Sequence, residues 1–248
     1  MAFKLGLAQS IDQIGPASAA GVDLLVFPED FMPSPEQAEP LDGPFVRNAQ
    51  EAARAHGLWM VFTTFETNPA GGPPFNTAVV VDNEGEVRGT YRKCHLYDAH
   101  GVFESDRTVA GDALCRPIKT PFCTLGIGIC YDLRFPEVAR RLAIAGCNVL
   151  LFPAAWHDGP RKLEHWRTLL AARAIENECF VAGVCHAGER YVGQSFAFGP
   201  LGEELASGSD LLTCSVDIAA VATARDAMPV FAHRRPELYA PLCQTPCK

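Results

Sequence analysis

Three apolar runs in this chain of 248 residues each stop on a side chain that can do chemistry. Leu24-Leu25-Val26-Phe27-Pro28 leads to Glu29, and the run from Val87 ends at Tyr91-Arg92-Lys93. Leu125-Gly126-Ile127-Gly128-Ile129 leads to Cys130, Tyr131 and Asp132. A thiol, a carboxylate and an ammonium form a complete set for acyl transfer. The thiolate attacks, the carboxylate takes and returns a proton, and the ammonium steadies the developing negative charge. In α/β proteins, sites gather at the carboxyl ends of strands, where loop amides and helix N-termini converge.

Cys130 is set apart by its frame. A strand with two glycines precedes it and a helix opening at Pro136 follows. That strand–turn–helix setting lifts a nucleophile above a sheet and leaves the next backbone N–H groups free to bind an oxyanion. A helix N-terminus or a neighbouring Lys also favours the thiolate. Taken singly, each residue has a plainer reading: Cys130 as a core thiol, Glu29 as a helix cap, Lys93 as a solvated charge. The combination is what points to chemistry.

The elements that must position these groups follow from patterning. Phe3–Ala8, Asp23–Phe27, Leu58–Phe65, Thr124–Ile129, Val149–Phe152 and Phe180–Cys185 read as strands. Pro44–His56, Pro136–Ala145 and Leu163–Glu178 read as helices, the second ending at Gly146. Thr77–Val81 and Val87–Tyr91 flank Asp82-Asn83-Glu84-Gly85, a hairpin signal. Ser195–Phe198 and Leu211–Val216 surround the turn Gly199-Pro200-Leu201-Gly202. Alternating strands and helices with hairpins interspersed predict an α/β fold with mixed sheets. With no repeat, linker or low-complexity tract, residues 1–248 read as one domain.

Composition narrows the function classes. Hydrophobic residues make up 48% and charged residues 20%, which excludes a disordered or fibrous chain. A net charge of −8 without a basic stripe speaks against a nucleic-acid partner. The longest apolar stretch, Ala143 to Trp156, falls short of the ~18–20 residues of a membrane span. The opening MAFKLGLAQSID lacks a signal-peptide core, so a cytoplasmic protein is the expectation. Ten cysteines without a C-x-x-C pair support neither a disulfide scaffold nor structural zinc. Cys243 and Cys247 stand alone near the end. His95, His165 and His186 lack metal-ligand spacing and read as structural. Gly126-x-Gly128 is not a dinucleotide fingerprint, because no third Gly follows in place.

With these residues in view, the chain resembles the carbon–nitrogen hydrolase (nitrilase) superfamily, on its amidase side. The matching segments are Val26-Phe27-Pro28-Glu29, Tyr91-Arg92-Lys93-Cys94-His95-Leu96 and Gly126 through Glu137. His165-Trp166, Ala172 through Asn177, Gly193-Gln194-Ser195 and Arg234-Arg235-Pro236-Glu237-Leu238-Tyr239 extend the match over nearly the whole chain. The resemblance implies a four-layer α-β-β-α sandwich, assembled as a homodimer or larger. It implies Glu29 as general base, Lys93 as the cation that stabilises the intermediate, and Cys130 as nucleophile. The Tyr131 N–H would serve the oxyanion hole and Glu104 would be a second carboxylate, although the stretch from Lys93 to Glu104 is shortened. The helix normally found between the first strand and the Glu-bearing strand is truncated or missing here, since only Ser10 to Gly21 is available.

Cys130-Tyr131-Asp132-Leu133-Arg134-Phe135-Pro136 is similar to the ω-amidase and deaminated-glutathione amidase branch, and differs from the Cys-Trp-Glu-Asn of nitrilases. That likeness implies hydrolysis of a small carboxylate-bearing amide with release of ammonia and no cofactor or metal. N-carbamoyl hydrolysis and nitrile hydrolysis are the neighbouring alternatives, and a non-catalytic scaffold is the alternative of another class. The acyltransferase branch is disfavoured by the lack of membrane spans, and the NAD synthetase branch by the lack of an ATP-binding domain. A substrate carboxylate needs a cation besides Lys93; Arg134, Arg161, Lys162 and Arg173 are the candidates, with Trp156 beside them. Arg173 and Glu176 also read as an i,i+3 pair that orients a helix.

Overall fold

The computed structural model describes residues 2–31 and 34–239. Its strands are β1 (Ala2–Leu7), β2 (Leu24–Val26), β3 (Trp59–Glu66), β4 (Phe75–Val81), β5 (Val87–Arg92), β6 (Asp98–Ala99) and β7 (Val102–Phe103). There follow β8 (Ile118–Lys119), β9 (Thr124–Ile127), β10 (Val149–Ala154), β11 (Phe180–Cys185), β12 (Ser195–Phe198), β13 (Glu204–Gly208) and β14 (Leu212–Asp217). The helices are α1 (Ile14–Ala19), α2 (Pro44–His56), α3 (Pro136–Ile144), α4 (Lys162–Asn177), α5 (Ala219–Ala227), α6 (Val230–His233) and α7 (Pro236–Tyr239).

Two six-stranded sheets run in the orders β14-β1-β2-β3-β4-β5 and β13-β12-β11-β10-β9-β8. Each holds three parallel strands, β1-β2-β3 in one and β9-β10-β11 in the other, flanked by antiparallel neighbours. The period of two along each strand decides which layer a side chain joins. In the first sheet Leu24, Val26, Trp59, Val61, Ala78 and Val80 join the large core shared with the second sheet. Their alternates Leu25, Met60, Phe62, Val79 and Val81 pack instead with Val46, Ala49 and Ala53 of α2 and with Ile14 and Ala17 of α1. Helices α3 and α4 cover the second sheet through Val138, Leu142, Trp166, Leu170 and Ala174. The layer order is α-β-β-α, the sandwich the resemblance implies.

The short connection between β1 and β2 forms only the six-residue α1 after a turn of 3-10 helix at Ile11–Gln13. The first helix is therefore truncated rather than absent. Helix α2 opens on Pro44 and closes on Gly57, whose φ of 65° supplies the left-handed cap.

The Gly199–Gly202 turn joins β12 to β13, not to the strand beyond it. Residues 212–217 leave for the other sheet and pair antiparallel with β1, Ala2 opposite Asp217 and Leu7 opposite Leu212. β13 carries too few apolar residues to announce itself, because it is an edge strand with half-exposed sides. The eight cysteines among the described residues are free thiols; Cys243 and Cys247 lie outside them. No described helix is long and apolar enough to cross a membrane.

Candidate active site

Glu29, Lys93 and Cys130 meet on the floor of one cavity of ≈ 280 Å³, which Glu104, Tyr131, Arg134, Trp156 and Lys162 also border. Each is delivered by the end of a strand. Glu29 follows β2, Lys93 is the residue after β5, and Cys130 follows β9. The floor thus draws on both sheets.

Cys130 sits at φ 46°, in the left-handed region that a non-glycine residue adopts at a cost of about 1–3 kcal/mol. Its neighbours hold it there. Gly128 lies against Phe152 and Asp132 so closely that a Cβ would come within 2.6 Å of the Phe152 ring. The wholly buried Asp132 receives the Ile129 N–H at 2.8 Å, the Tyr91 hydroxyl at 2.7 Å and the His95 N–H at 3.2 Å. His95 Nδ1 lies 2.7 Å from the same carboxylate and its ring stacks on Phe135 at 3.8 Å, the structural role expected of it. Arg173 donates to the Leu133 carbonyl at 2.9 and 3.1 Å, binding α4 to the turn that carries the thiol.

Lys93 is buried between two carboxylates. Its Nζ lies 2.7 Å from Glu29 Oε1 and 2.8 Å from Glu104 Oε2. Glu29 also accepts Asn76 Nδ2 at 2.8 Å and the Ala155 N–H at 2.8 Å, while Glu104 accepts the Tyr97 N–H at 2.7 Å. Burial opposes charge on Glu29, but the Lys93 ammonium and the Ala155 and Cys130 hydrogen bonds hold its carboxyl below the usual range. Burial likewise works against Lys93, and the charges of Glu29 and Glu104 reverse this and raise it well above an ordinary lysine. For Cys130, burial and the Glu29 and Glu104 charges push the thiol well up, with Lys93 pulling the other way. The resting set is therefore a carboxylate, an ammonium and a thiol that donates to the carboxylate. Environments that drive two groups apart in this way mark the proton's donor and its acceptor.

Of the candidate cations, Arg134 and Lys162 face the cavity. The Arg134 guanidinium lies 4.6 Å from the Trp156 ring centroid, and Lys162 Nζ is 3.1 Å from the Tyr97 hydroxyl. Neither has a carboxylate partner among the described residues. Arg161 and Arg173 do not border the cavity. Arg161 is the exposed residue just before α4 and pairs with Glu164 at 2.7 Å; Arg173 is spent on Leu133 and Glu176. Sequence reading missed Asn76, Asp30, Tyr97, Arg107, His157, Arg190 and Tyr191. A signal existed for Asn76, a residue type disfavoured in strands that lies near the start of β4.

The carbon–nitrogen hydrolase family model matches residues 5–226. The chain belongs to the carbon–nitrogen hydrolase family. This hydrolase is 36% identical over 224 residues to the deaminated glutathione amidase of Rattus norvegicus, covering 83% of this chain and 68% of the relative. It is 32% identical over 230 residues to that of Escherichia coli O157:H7, covering 88% and 87%. A carbon–nitrogen hydrolase structure from Helicobacter pylori G27 superposes with a TM-score of 0.89 over the whole of both chains at 23% identity, which speaks for the fold alone.

Proposed function

We propose that this hydrolase is an amidase acting on a small carboxylate-bearing amide through a Cys130 thioester. One observation carries the reading: a buried thiol donates to a carboxylate that is itself clamped by a buried ammonium, all open to one cavity. Glu29 takes the thiol proton as Sγ bonds to the amide carbon. The carbonyl oxygen gains negative charge, which Lys93 and the Tyr131 N–H stabilise. Collapse breaks the C–N bond, and Glu29 returns the proton to the departing ammonia. Water then attacks the thioester with Glu29 again as base, releasing the acid and the thiol. Glu104 holds Lys93 in register through its two contacts of 2.8 and 3.0 Å.

Arg134 and Lys162 are the cations for the distal carboxylate, being the candidates that border the cavity without an anionic partner. The deaminated glutathione amidases among the relatives support an amide over a nitrile. With the reading go the expectations of one domain, a homo-oligomer and a cytoplasmic enzyme. A panel of succinamate, butyramide, an N-carbamoyl amino acid and a simple nitrile tests it. Succinamate is expected to exceed butyramide by at least about tenfold in kcat/KM, the scale of one modest ion pair. Cys130→Ala is expected to be inactive and folded. Equal rates on butyramide would remove the carboxylate pocket, a preference for the carbamoyl compound would move the enzyme to that chemistry, and an active Cys130→Ala would end the thioester.

A further inference from the structure

One carboxyl in the cavity has no task in this chemistry. Asp30 directly follows Glu29, with a backbone φ of 56°, and it borders both the main cavity and a second one beside Gln9, Phe31 and His186. The hydrogen bonds and ion pairs of the described residues include none to its side chain, whereas Glu29 and Glu104 are each held by several. Burial and the Glu29 charge push its carboxyl up to about 7; Glu104 adds to this, while Lys93 and Arg107 oppose it. Both cations are already engaged. Lys93 is clamped by Glu29 and Glu104, and Arg107 pairs with Glu36 at 3.2 Å.

Tyr191 and His157 do not change charge as Asp30 ionises near neutrality. Tyr191, which feels the Asp30 charge, is raised above an ordinary tyrosine, chiefly by burial. His157, on the same wall, is lowered by burial and stays neutral above neutrality. His186 borders the second cavity alongside Asp30, with its Nδ1 on the Ala187 carbonyl. Arg134, Lys162 and Arg190 line the main cavity with Asp30.

We infer that Asp30 is a specificity-determining residue of this cavity, which admits an anionic amide preferentially while Asp30 carries its proton. This rests on the carboxylate-bearing substrate proposed above. Ionised Asp30 would set an unpaired negative charge on the wall of the ≈ 280 Å³ cavity that must also hold the substrate carboxylate. By linkage the bound anion raises Asp30 further, so above neutrality the substrate enters together with one proton from solvent. An uncharged amide has no such coupling.

The test is the pH dependence of KM for succinamate and for butyramide, in the wild type and in Asp30→Asn. The Asn side chain keeps the shape and tolerates left-handed backbone. Between about pH 6 and about pH 8.5, where the succinamate carboxylate is ionised throughout, its KM is expected to rise about tenfold, one unit of pKa coupling. The butyramide KM should change less than about twofold, and Asp30→Asn should flatten the succinamate profile. A flat wild-type succinamate profile, an equal rise with butyramide, or an unaltered rise in Asp30→Asn would overturn the inference. The two wild-type profiles decide the matter even where the variant fails to fold. If butyramide matches succinamate even at pH 6, the carboxylate pocket falls and the inference with it.

Discussion

Replacing Lys93 by Met removes the cation held between Glu29 and Glu104 and leaves Glu29, 3% exposed, without its ammonium. Burial, the largest influence on Glu29, is then opposed only by hydrogen bonds such as those from Ala155 and Cys130, so Glu29 is driven to take a proton. Keeping a carboxyl of ordinary value 4.5 protonated costs about 3.4 kcal/mol at pH 7 and about 0.8 kcal/mol at pH 5, at 1.36 kcal/mol per unit. In the wild type Glu29 is held low, so its contribution to stability is present above about pH 4.5 and is lost as pH falls. In Lys93→Met the folded-state value is raised, and the sign reverses: stability is lost as pH rises. The difference in stability between variant and wild type should therefore widen by about 2.6 kcal/mol from pH 5 to pH 7. In a chain of this size that is a further gap of about 5–10 °C in Tm. Turnover of succinamate should also fall by at least about 10²–10³, because both the oxyanion's cation and the ionised base are gone. Paired thermal melts at the two pH values and initial rates at pH 7 make the measurement. A Tm gap that is constant or narrows toward pH 7, or a kcat within tenfold of wild type, would refute the charge assignment of the site.

Other substitutions separate function from support. Glu29→Gln keeps the Asn76-side geometry but cannot accept the thiol proton, so kcat should drop by roughly 10²–10⁴ and the rate of acyl-enzyme formation, read by single-turnover mass spectrometry, should drop with it. Tyr91→Phe removes one donor from the buried Asp132 and should cost about 1–3 kcal/mol in denaturant unfolding, through the turn that holds Cys130. Arg134→Ala should raise KM for succinamate about tenfold with no comparable change for butyramide, whereas Arg161→Ala, at the exposed residue just before α4, should alter neither.

Much of this was legible because strict alternation and short apolar runs leave little freedom. Leu24 to Phe27 must place successive residues on opposite faces, and the structure sends Leu24 and Val26 to the inter-sheet core and Leu25 and Phe27 to α2. Pro44 and Gly57 bracket α2 by backbone chemistry alone. Glu29, Lys93 and Cys130 were conspicuous as reactive groups at strand ends. What stayed hidden depends on distant pairing. The residue that clamps Lys93 from its second side, Glu104, was named through the family resemblance alone, because it lies in a short 3-10 turn where spacing carries no period. The inward choice of Arg134 and Lys162 over Arg161 turns on which side of α4 and its preceding turn faces the cavity, and the low amphipathicity of that helix gives no direction. Asp30 was overlooked beside Glu29 because its importance lies in lacking a partner, a property that only three-dimensional neighbours define.

The pairing of β14 with β1 has a consequence for how the molecule comes into being. Ala2 meets Asp217, so one edge of the first sheet waits for almost the entire chain before its last strand can dock. Contacts of such sequence separation close slowly, since loop entropy is lost long before the ladder rewards it. During synthesis β1 would leave the ribosome well before β14 and offer an unpaired rim, with Phe3, Leu5 and Leu7 on the side later covered by the second sheet. The β9-β10-β11 block, with α3 and α4 between its strands, closes over much shorter loops. Refolding should accordingly protect backbone amides of β10 and β11 from hydrogen exchange before those of β1, and the thiol's turn should be built before Glu29 arrives beside it.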